Sequence, residues 1–133
     1  MNNIKNFDII TNNLNDLGGW IFKEVIGIDY VVDYDYEENC IALLILSFHV
    51  QVIKTGQRFK LKIKYFNVSE LSIRKITNLY LTRSLIVHDK KELGWESSQR
   101  YHVHDDSGYG ENDGYNFIEF YCSSIEAVSL EEL

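Results

Sequence analysis

Apolar and polar residues alternate along much of this chain with the period of two that is typical of β-strands. The pattern begins at Trp20 and continues to Tyr36. Because successive side chains of a strand point to opposite faces, it predicts a long strand with one face toward a core. The apolar face comprises Trp20, Phe22, Ile26, Ile28, Tyr30 and Val32, and the opposite face carries Lys23, Gly27, Asp29 and Asp33.

Two further strands are predicted directly after the first. Residues 40–52 are too uniformly apolar for a solvated face, so they indicate an internal strand, joined to the first strand by the polar turn at residues 37–39. Residues 58–65 alternate again after a turn at Gly56. Their apolar side chains are Phe59, Leu61, Ile63 and Tyr65, and their basic side chains are Arg58, Lys60, Lys62 and Lys64. This basic stripe is either a solvated strand face or a binding stripe.

The remaining segments complete a mainly β domain. We predict strands over residues 68–76, 79–87, 97–104 and 115–122, whereas residues 125–133 are either a last strand or an acidic tail. Spacings of three and four within residues 1–19 indicate short helical turns. The fold class is therefore a single antiparallel sheet-rich domain over residues 1–133, either a curled sheet or a two-layer sandwich with a short N-terminal helical segment. An α+β arrangement is the alternative.

Composition narrows the class of protein. The chain has 133 residues, no proline and two cysteines, so no linker divides it and no disulfide scaffold is expected. We expect Cys40 and Cys122 to be buried free thiols, because each lies in an apolar run. The longest uncharged apolar run, residues 40–49, is about half of the roughly 20 residues that a membrane helix needs. With no signal peptide visible, we expect a cytoplasmic protein without a membrane partner.

The net charge of −7 conceals three blocks of alternating sign. Residues 1–50 carry 2 basic and 8 acidic side chains, residues 51–91 carry 10 and 2, and residues 92–133 carry 1 and 10. The blocks can neutralise one another across neighbouring strands. Alternatively, an acidic block stays exposed and attracts a basic protein partner. Nucleic acid is not an expected partner, because acidic segments flank the basic one on both sides.

Two acidic segments that contain tyrosine are the candidate partner-binding residues. Tyrosine and carboxylates alternate at a strand end in the first segment, and mix with glycine in a loop in the second. The candidates are Asp33, Tyr34, Asp35 and Tyr36 in the first segment, and Asp105, Asp106, Tyr109, Glu111 and Asp113 in the second. A purely structural interpretation puts Tyr30 in the core and lets Tyr34 and Tyr36 cover a sheet edge. The second segment lacks the ligand spacing of a calcium loop.

His102 and His104 are the best candidates for chemistry, because residues two apart on a strand point the same way and imidazole pairs bind zinc. The sequence does not identify a third ligand among His88, His49, Asp105 and Cys122. We expect two surface histidines, no bound metal and no cofactor. Because no catalytic triad or phosphate loop is present either, an enzyme is not expected. A metal-dependent enzyme that uses His102 and His104, or a β domain that binds a small ligand, is the alternative.

The sequence resembles small bacterial immunity proteins that accompany polymorphic or contact-dependent toxins. The residues that carry the resemblance are Trp20-Ile21-Phe22 through Ile26-Gly27-Ile28-Asp29, the apolar strand Leu43–Phe48, Ile63-Lys64-Tyr65-Phe66-Asn67-Val68 and Phe117-Ile118-Glu119-Phe120-Tyr121-Cys122. The resemblance implies a protein that binds a cognate toxin domain, expected to be basic, and neutralises it by occlusion. It transfers no catalytic residue, because these families share none.

Overall fold

The computed structural model describes residues 4–14, 19–34, 36–74, 85–90, 100–105 and 118–133. Within them the chain is mainly β, as the alternation predicts, with one short helix near the N-terminus. The elements are β1 (Ile4–Lys5), α1 (Asp8–Leu14), β2 (Trp20–Tyr34), β3 (Cys40–Val52), β4 (Arg58–Phe66), β5 (Ser69–Ile73), β6 (Ile86–Asp89), β7 (Tyr101–His104), β8 (Ile118–Cys122) and β9 (Ser124–Glu132). No helix in these ranges is long and apolar enough to cross a membrane.

The strands form two sheets. The first has the order β1-β9-β4-β3-β2 and is antiparallel except for the short parallel pair of β1 and β9. The second has the order β5-β8-β7-β6 and is antiparallel throughout. Their inner faces share one core, in which the Tyr65 ring of β4 meets the Phe120 ring of β8 edge to face, with 4.9 Å between centroids. The two-layer arrangement is therefore the one adopted.

The third predicted strand has the facing that its alternation predicts. Leu61, Ile63 and Tyr65 of β4 are buried and Phe59 is half-buried. Burial raises the pKa of the Tyr65 hydroxyl far above its ordinary value, so this side chain stays neutral within the core. Strand β3 is internal, as expected, since it lies between β4 and β2.

The predicted facing of β2 is wrong in its middle. Ile26 is 45% exposed, and Val25 lies in the core instead. The register with β3 shifts between Phe22 and Glu24 and again between Val25 and Gly27. Each shift adds one residue to β2, which reverses the faces to which the following side chains point. The second shift therefore restores the facing that the first one reversed. Simple alternation therefore holds at both ends of the strand and fails between the two bulges.

The opposite charges of β4 and β9 lie side by side. The register places Lys64 opposite Glu126 and Lys60 opposite Glu131. Cross-strand pairs of opposite charge contribute about 0.2 to 1 kcal/mol each. The basic stripe is thus bordered by carboxylates, and the middle and C-terminal charge blocks lie beside each other at these positions.

Candidate functional site

Strands β2 and β3 continue beyond the end of the neighbouring strand β4. The last residue of β4, Phe66, pairs with Leu43, whereas Cys40 pairs with Tyr34 further along the hairpin. The chain after β4 reaches one residue more, because the Val68 N–H donates to the Ala42 carbonyl oxygen, at 2.8 Å. The hairpin therefore extends beyond the end of β4 at residues 32–34 of β2 and residues 40–42 of β3. We use the name hairpin tip for residues 29–42.

One side of the hairpin tip continues the core face of the sheet without being covered. Tyr30 lies opposite Leu44, which is fully buried, yet Tyr30 itself is 54% exposed. Every second residue of β2 from Tyr30 onward shares this face, and cross-strand partners in β3 share it as well. We define the tip face by its exposed members, which are Tyr30, Val32, Tyr34 and Cys40.

The expectation that Cys40 is buried is wrong for the same reason. Cys40 begins β3 opposite Tyr34, at the uncovered end of the core face, and its thiol is exposed. Cys122 is buried as expected, and both thiols are free. An apolar run in the sequence shows that a strand is mostly internal, but it does not show how far the opposing sheet extends.

The hairpin tip is acidic. Asp29, Val31 and Asp33 occupy its other side, and all three are exposed. Glu37 and Glu38 follow in the turn, where Glu38 adopts a left-handed conformation with a φ of 62°. No lysine or arginine occurs in residues 24–53. The tip face is therefore an apolar and aromatic surface on an acidic segment of the chain.

The structure describes four of the nine predicted partner-binding residues. Asp33, Tyr34 and Tyr36 are exposed at the hairpin tip, and the Asp33 carboxylate accepts a hydrogen bond from the Tyr34 N–H at 2.8 Å. The predicted residues that lie outside the described parts of the chain are Asp35, Asp106, Tyr109, Glu111 and Asp113.

Asp105 does not belong to an exposed surface. It is only 2% exposed, and its carboxylate accepts a hydrogen bond from the Ile118 N–H at 3.0 Å. Its own N–H donates to the Ile118 carbonyl oxygen at 3.2 Å. Asp105 therefore joins the end of β7 to the start of β8, and its placement on a partner-binding surface is corrected to a structural role.

The two candidate histidines are buried rather than at the surface. His102 is 8% exposed and His104 is 1% exposed. The register of β6 and β7 places His88 directly opposite His102. One ring nitrogen from each of the three residues lies within 4.8 Å of the others, and the Nε2 atoms of His88 and His104 are 3.1 Å apart. We call these three residues the histidine cluster.

Neighbouring groups hold the histidine cluster in place. His104 Nδ1 lies 2.9 Å from the Asp105 carbonyl oxygen, and His102 Nε2 lies 3.0 Å from a carboxylate oxygen of Glu119. The His102 ring stacks on the Tyr121 ring at 4.6 Å between centroids. Burial, followed by the negative charge of Glu119, raises the pKa of Tyr121. The stacked ring therefore stays neutral at ordinary pH.

Of the four residues considered as a third ligand, the structure brings only His88 into the cluster. His49 lies on β3 of the other sheet, where its Nδ1 is 3.3 Å from Glu24. Cys122 pairs with Tyr101, so it shares the core face of β8, opposite to Glu119. In the sequence His88 directly follows the strand predicted over residues 79–87, and strand order and register were needed to place it beside His102.

An apolar cavity between the two sheets is small. Its volume is about 30 Å³, and its lining includes Phe22, Phe48, Tyr65 and Leu85. That space holds about one water molecule, whereas pockets for drug-sized ligands measure about 300 to 1,000 Å³. This cavity gives no support to the alternative of a domain that binds a small ligand.

No protein-family model, no curated protein and no solved structure matches this chain.

Proposed function

We propose that this chain is a protein-binding domain that captures a basic protein at its hairpin tip. We further propose that this protein is a toxin domain, which the chain neutralises by occlusion, as the resemblance to immunity proteins implies. The observation that carries the proposal is the tip face, an exposed continuation of the core face with carboxylates on the opposite side of the same strand.

The side chains of the tip face have the character of binding anchors. Tyr34 is 68% exposed and Val32 is 49% exposed, although both lie on the core face of their strand. Exposed apolar surface of this kind marks interaction sites in folded proteins. Tyrosine is suited to such a site, because its ring provides a large contact area and its hydroxyl retains a hydrogen bond.

The charge of the hairpin tip selects the class of partner. Asp29 and Asp33 flank the tip face from the other side of β2, and no lysine or arginine occurs in residues 24–53. A negative surface accelerates association with a basic protein and opposes association with an acidic one. Toxin domains that act on nucleic acids need basic surfaces, so they fit this requirement.

The first experiment identifies the partner. Immunity genes ordinarily lie beside the toxin gene, so we expect a neighbouring reading frame to encode a protein with a basic C-terminal domain. Co-expression of this chain with that domain should restore cell growth, and the two should purify as a complex. If the neighbouring domains neither bind this chain nor are neutralised by it, the immunity proposal is contradicted.

A second experiment locates the interface with matched variants. Tyr34→Ala removes an anchor and should weaken binding by at least about 30-fold, which corresponds to about 2 kcal/mol. Val128→Ala is the control, since Val128 is an exposed apolar residue on β9, at the other edge region of the same sheet. Equal affinities for the two variants would exclude Tyr34 from the interface.

Charge-reversal variants test whether the carboxylates of the hairpin tip accelerate association with the partner. Asp29→Lys with Asp33→Lys should slow association and reduce its dependence on salt. Glu131→Lys with Glu132→Lys makes the same change in net charge at exposed positions of β9. If both double variants slow association equally, overall charge rather than the hairpin tip attracts the partner.

A further inference from the structure

We infer that the histidine cluster binds a divalent transition-metal ion of the zinc class, with His88, His102 and His104 as ligands and Glu119 beside them. This inference is independent of the proposed function and replaces the expectation that the chain has no metal ligands. It rests on the arrangement of four side chains from three adjacent strands.

The nitrogen atoms have the spacing of a coordination shell. Zinc–nitrogen bonds of 2.0 to 2.1 Å at tetrahedral angles place two ligand nitrogens about 3.3 Å apart. The Nε2 atoms of His88 and His104 are 3.1 Å apart. The ligand atom of His102 lies within 4.8 Å of the other two, so an approach of at most about 1.5 Å completes the shell.

The hydrogen bond of His104 leaves the correct nitrogen available. A carbonyl oxygen only accepts hydrogen bonds, so the contact with Asp105 requires that His104 Nδ1 carry the proton. In the neutral ring, Nε2 then holds the lone pair, and this is the atom that faces His88. Metal-binding histidines are commonly oriented in this way, by a second nitrogen that donates to a carbonyl or carboxylate group.

Glu119 supplies the negative charge that a buried cation needs. Its carboxylate oxygen is 3.0 Å from His102 Nε2, and the register places Glu119 opposite His104 on the neighbouring strand. In this position it can complete the shell as an oxygen ligand or accept the proton of His102. Both roles increase metal affinity, the first directly and the second by fixing the imidazole.

The donor set indicates the class of metal. Three imidazoles and a carboxylate suit zinc, copper, nickel and iron, whereas calcium and magnesium prefer shells made of oxygen. The thiol of Cys122 does not contribute, because it lies on the opposite face of β8. Zn²⁺ is therefore the first ion to test, and Co²⁺ reports the coordination number through its visible absorption.

The test uses the whole chain, purified without a histidine tag and dialysed against a chelator. Calorimetric titration with Zn²⁺ should give one ion per chain, the melting temperature should rise with Zn²⁺, and Co²⁺ should show the intense visible absorption of a four-coordinate site. A wild-type protein that binds neither ion stoichiometrically, or that binds Zn²⁺ without a change in melting temperature, would overturn the inference.

Variants assign the ligands. His88→Gln and His104→Gln should each weaken Zn²⁺ binding by more than about 100-fold, and Glu119→Gln by about 10- to 100-fold. His49→Gln is the matched control, because His49 also has a carboxylate neighbour but lies in the other sheet, and it should bind as tightly as the wild type. His88 is only partly buried, so its variant should keep the wild-type circular dichroism.

Equal Zn²⁺ affinity in folded His88→Gln, His49→Gln and wild-type protein would place the ion elsewhere and refute the assignment. The partner-binding assays of the hairpin tip need no metal. A negative result for Zn²⁺ binding would therefore not contradict the proposed function.

Discussion

Asp105→Ala should destabilise the domain without affecting partner binding. The Asp105 carboxylate accepts a hydrogen bond of 3.0 Å from the N–H of Ile118, and both residues are buried. Removing the side chain leaves that N–H without its acceptor in a place that water does not reach. A surface role for Asp105 predicts weaker partner binding and unchanged stability in this variant. The structural role predicts lower stability and unchanged partner binding.

The magnitude follows from the burial of this bond. Hydrogen bonds to charged groups contribute about 1.5 to 3 kcal/mol, and a buried donor left unsatisfied costs about 1 to 3 kcal/mol. These two figures describe the same loss and do not add. We therefore expect Asp105→Ala to lower the free energy of unfolding by about 2 to 3 kcal/mol, or the melting temperature by roughly 10 °C. Asp105→Asn keeps an acceptor oxygen and should cost less.

Urea denaturation of the metal-free protein measures this effect. The midpoint should fall for Asp105→Ala while the slope of the transition stays constant. Asp33→Ala is the matched control, because Asp33 also accepts a hydrogen bond from a backbone N–H, at 2.8 Å, but is exposed. That variant should lie within about 0.5 kcal/mol of the wild type. A similarly small effect for Asp105→Ala would refute this structural role.

Two further predictions concern the thiols. Cys40 should react with a thiol reagent in the folded protein, whereas Cys122 should react only after unfolding, because burial raises the pKa of its thiol to about 12 and excludes the reagent. Mass spectrometry of the labelled protein distinguishes the two thiols. Rapid labelling of both in the folded protein would contradict the burial of Cys122. The unfolded chain loses the Cys122 proton near the ordinary pKa of 9.0, while the folded chain retains it. The free energy of unfolding should therefore be unaffected below about pH 9 and then fall by up to about 1.4 kcal/mol per pH unit toward pH 12. Urea titrations of the wild type and Cys122→Ala check this, since the variant should lose that part of the pH dependence.

The sequence predicts the sheets better than it predicts their ends. Alternation locates the β4 face that carries Leu61, Ile63 and Tyr65, because every second residue there is apolar and the other face is basic. The same rule fails for Ile26, since bulges depend on the register with a neighbouring strand. The apolar run of residues 40–52 wrongly predicts that Cys40 is buried, because burial at the end of a strand depends on how far the opposite sheet extends.

The candidate sites show a similar division. The carboxylates and tyrosines of the hairpin tip could be identified from composition alone, because tip residues are close together in the chain. The histidine cluster could not, since His88 reaches His102 only through the pairing of β6 with β7. The surface position predicted for Asp105 is wrong because an acidic residue beside a polar segment looks exposed in a sequence, whereas here it accepts a backbone hydrogen bond inside the fold.

The labelling rate of Cys40 in the presence of the partner tests the central proposal most directly. Cys40 is exposed on the tip face opposite Tyr34, so it is a natural reporter of whether that face is covered. When the basic domain encoded beside this gene is added at about ten times its Kd for the wild type, we predict that the labelling of Cys40 slows about tenfold and that Tyr34→Ala removes most of this protection at the same partner concentration. A stable complex in which Cys40 reacts as fast as in the free protein would contradict binding at the hairpin tip.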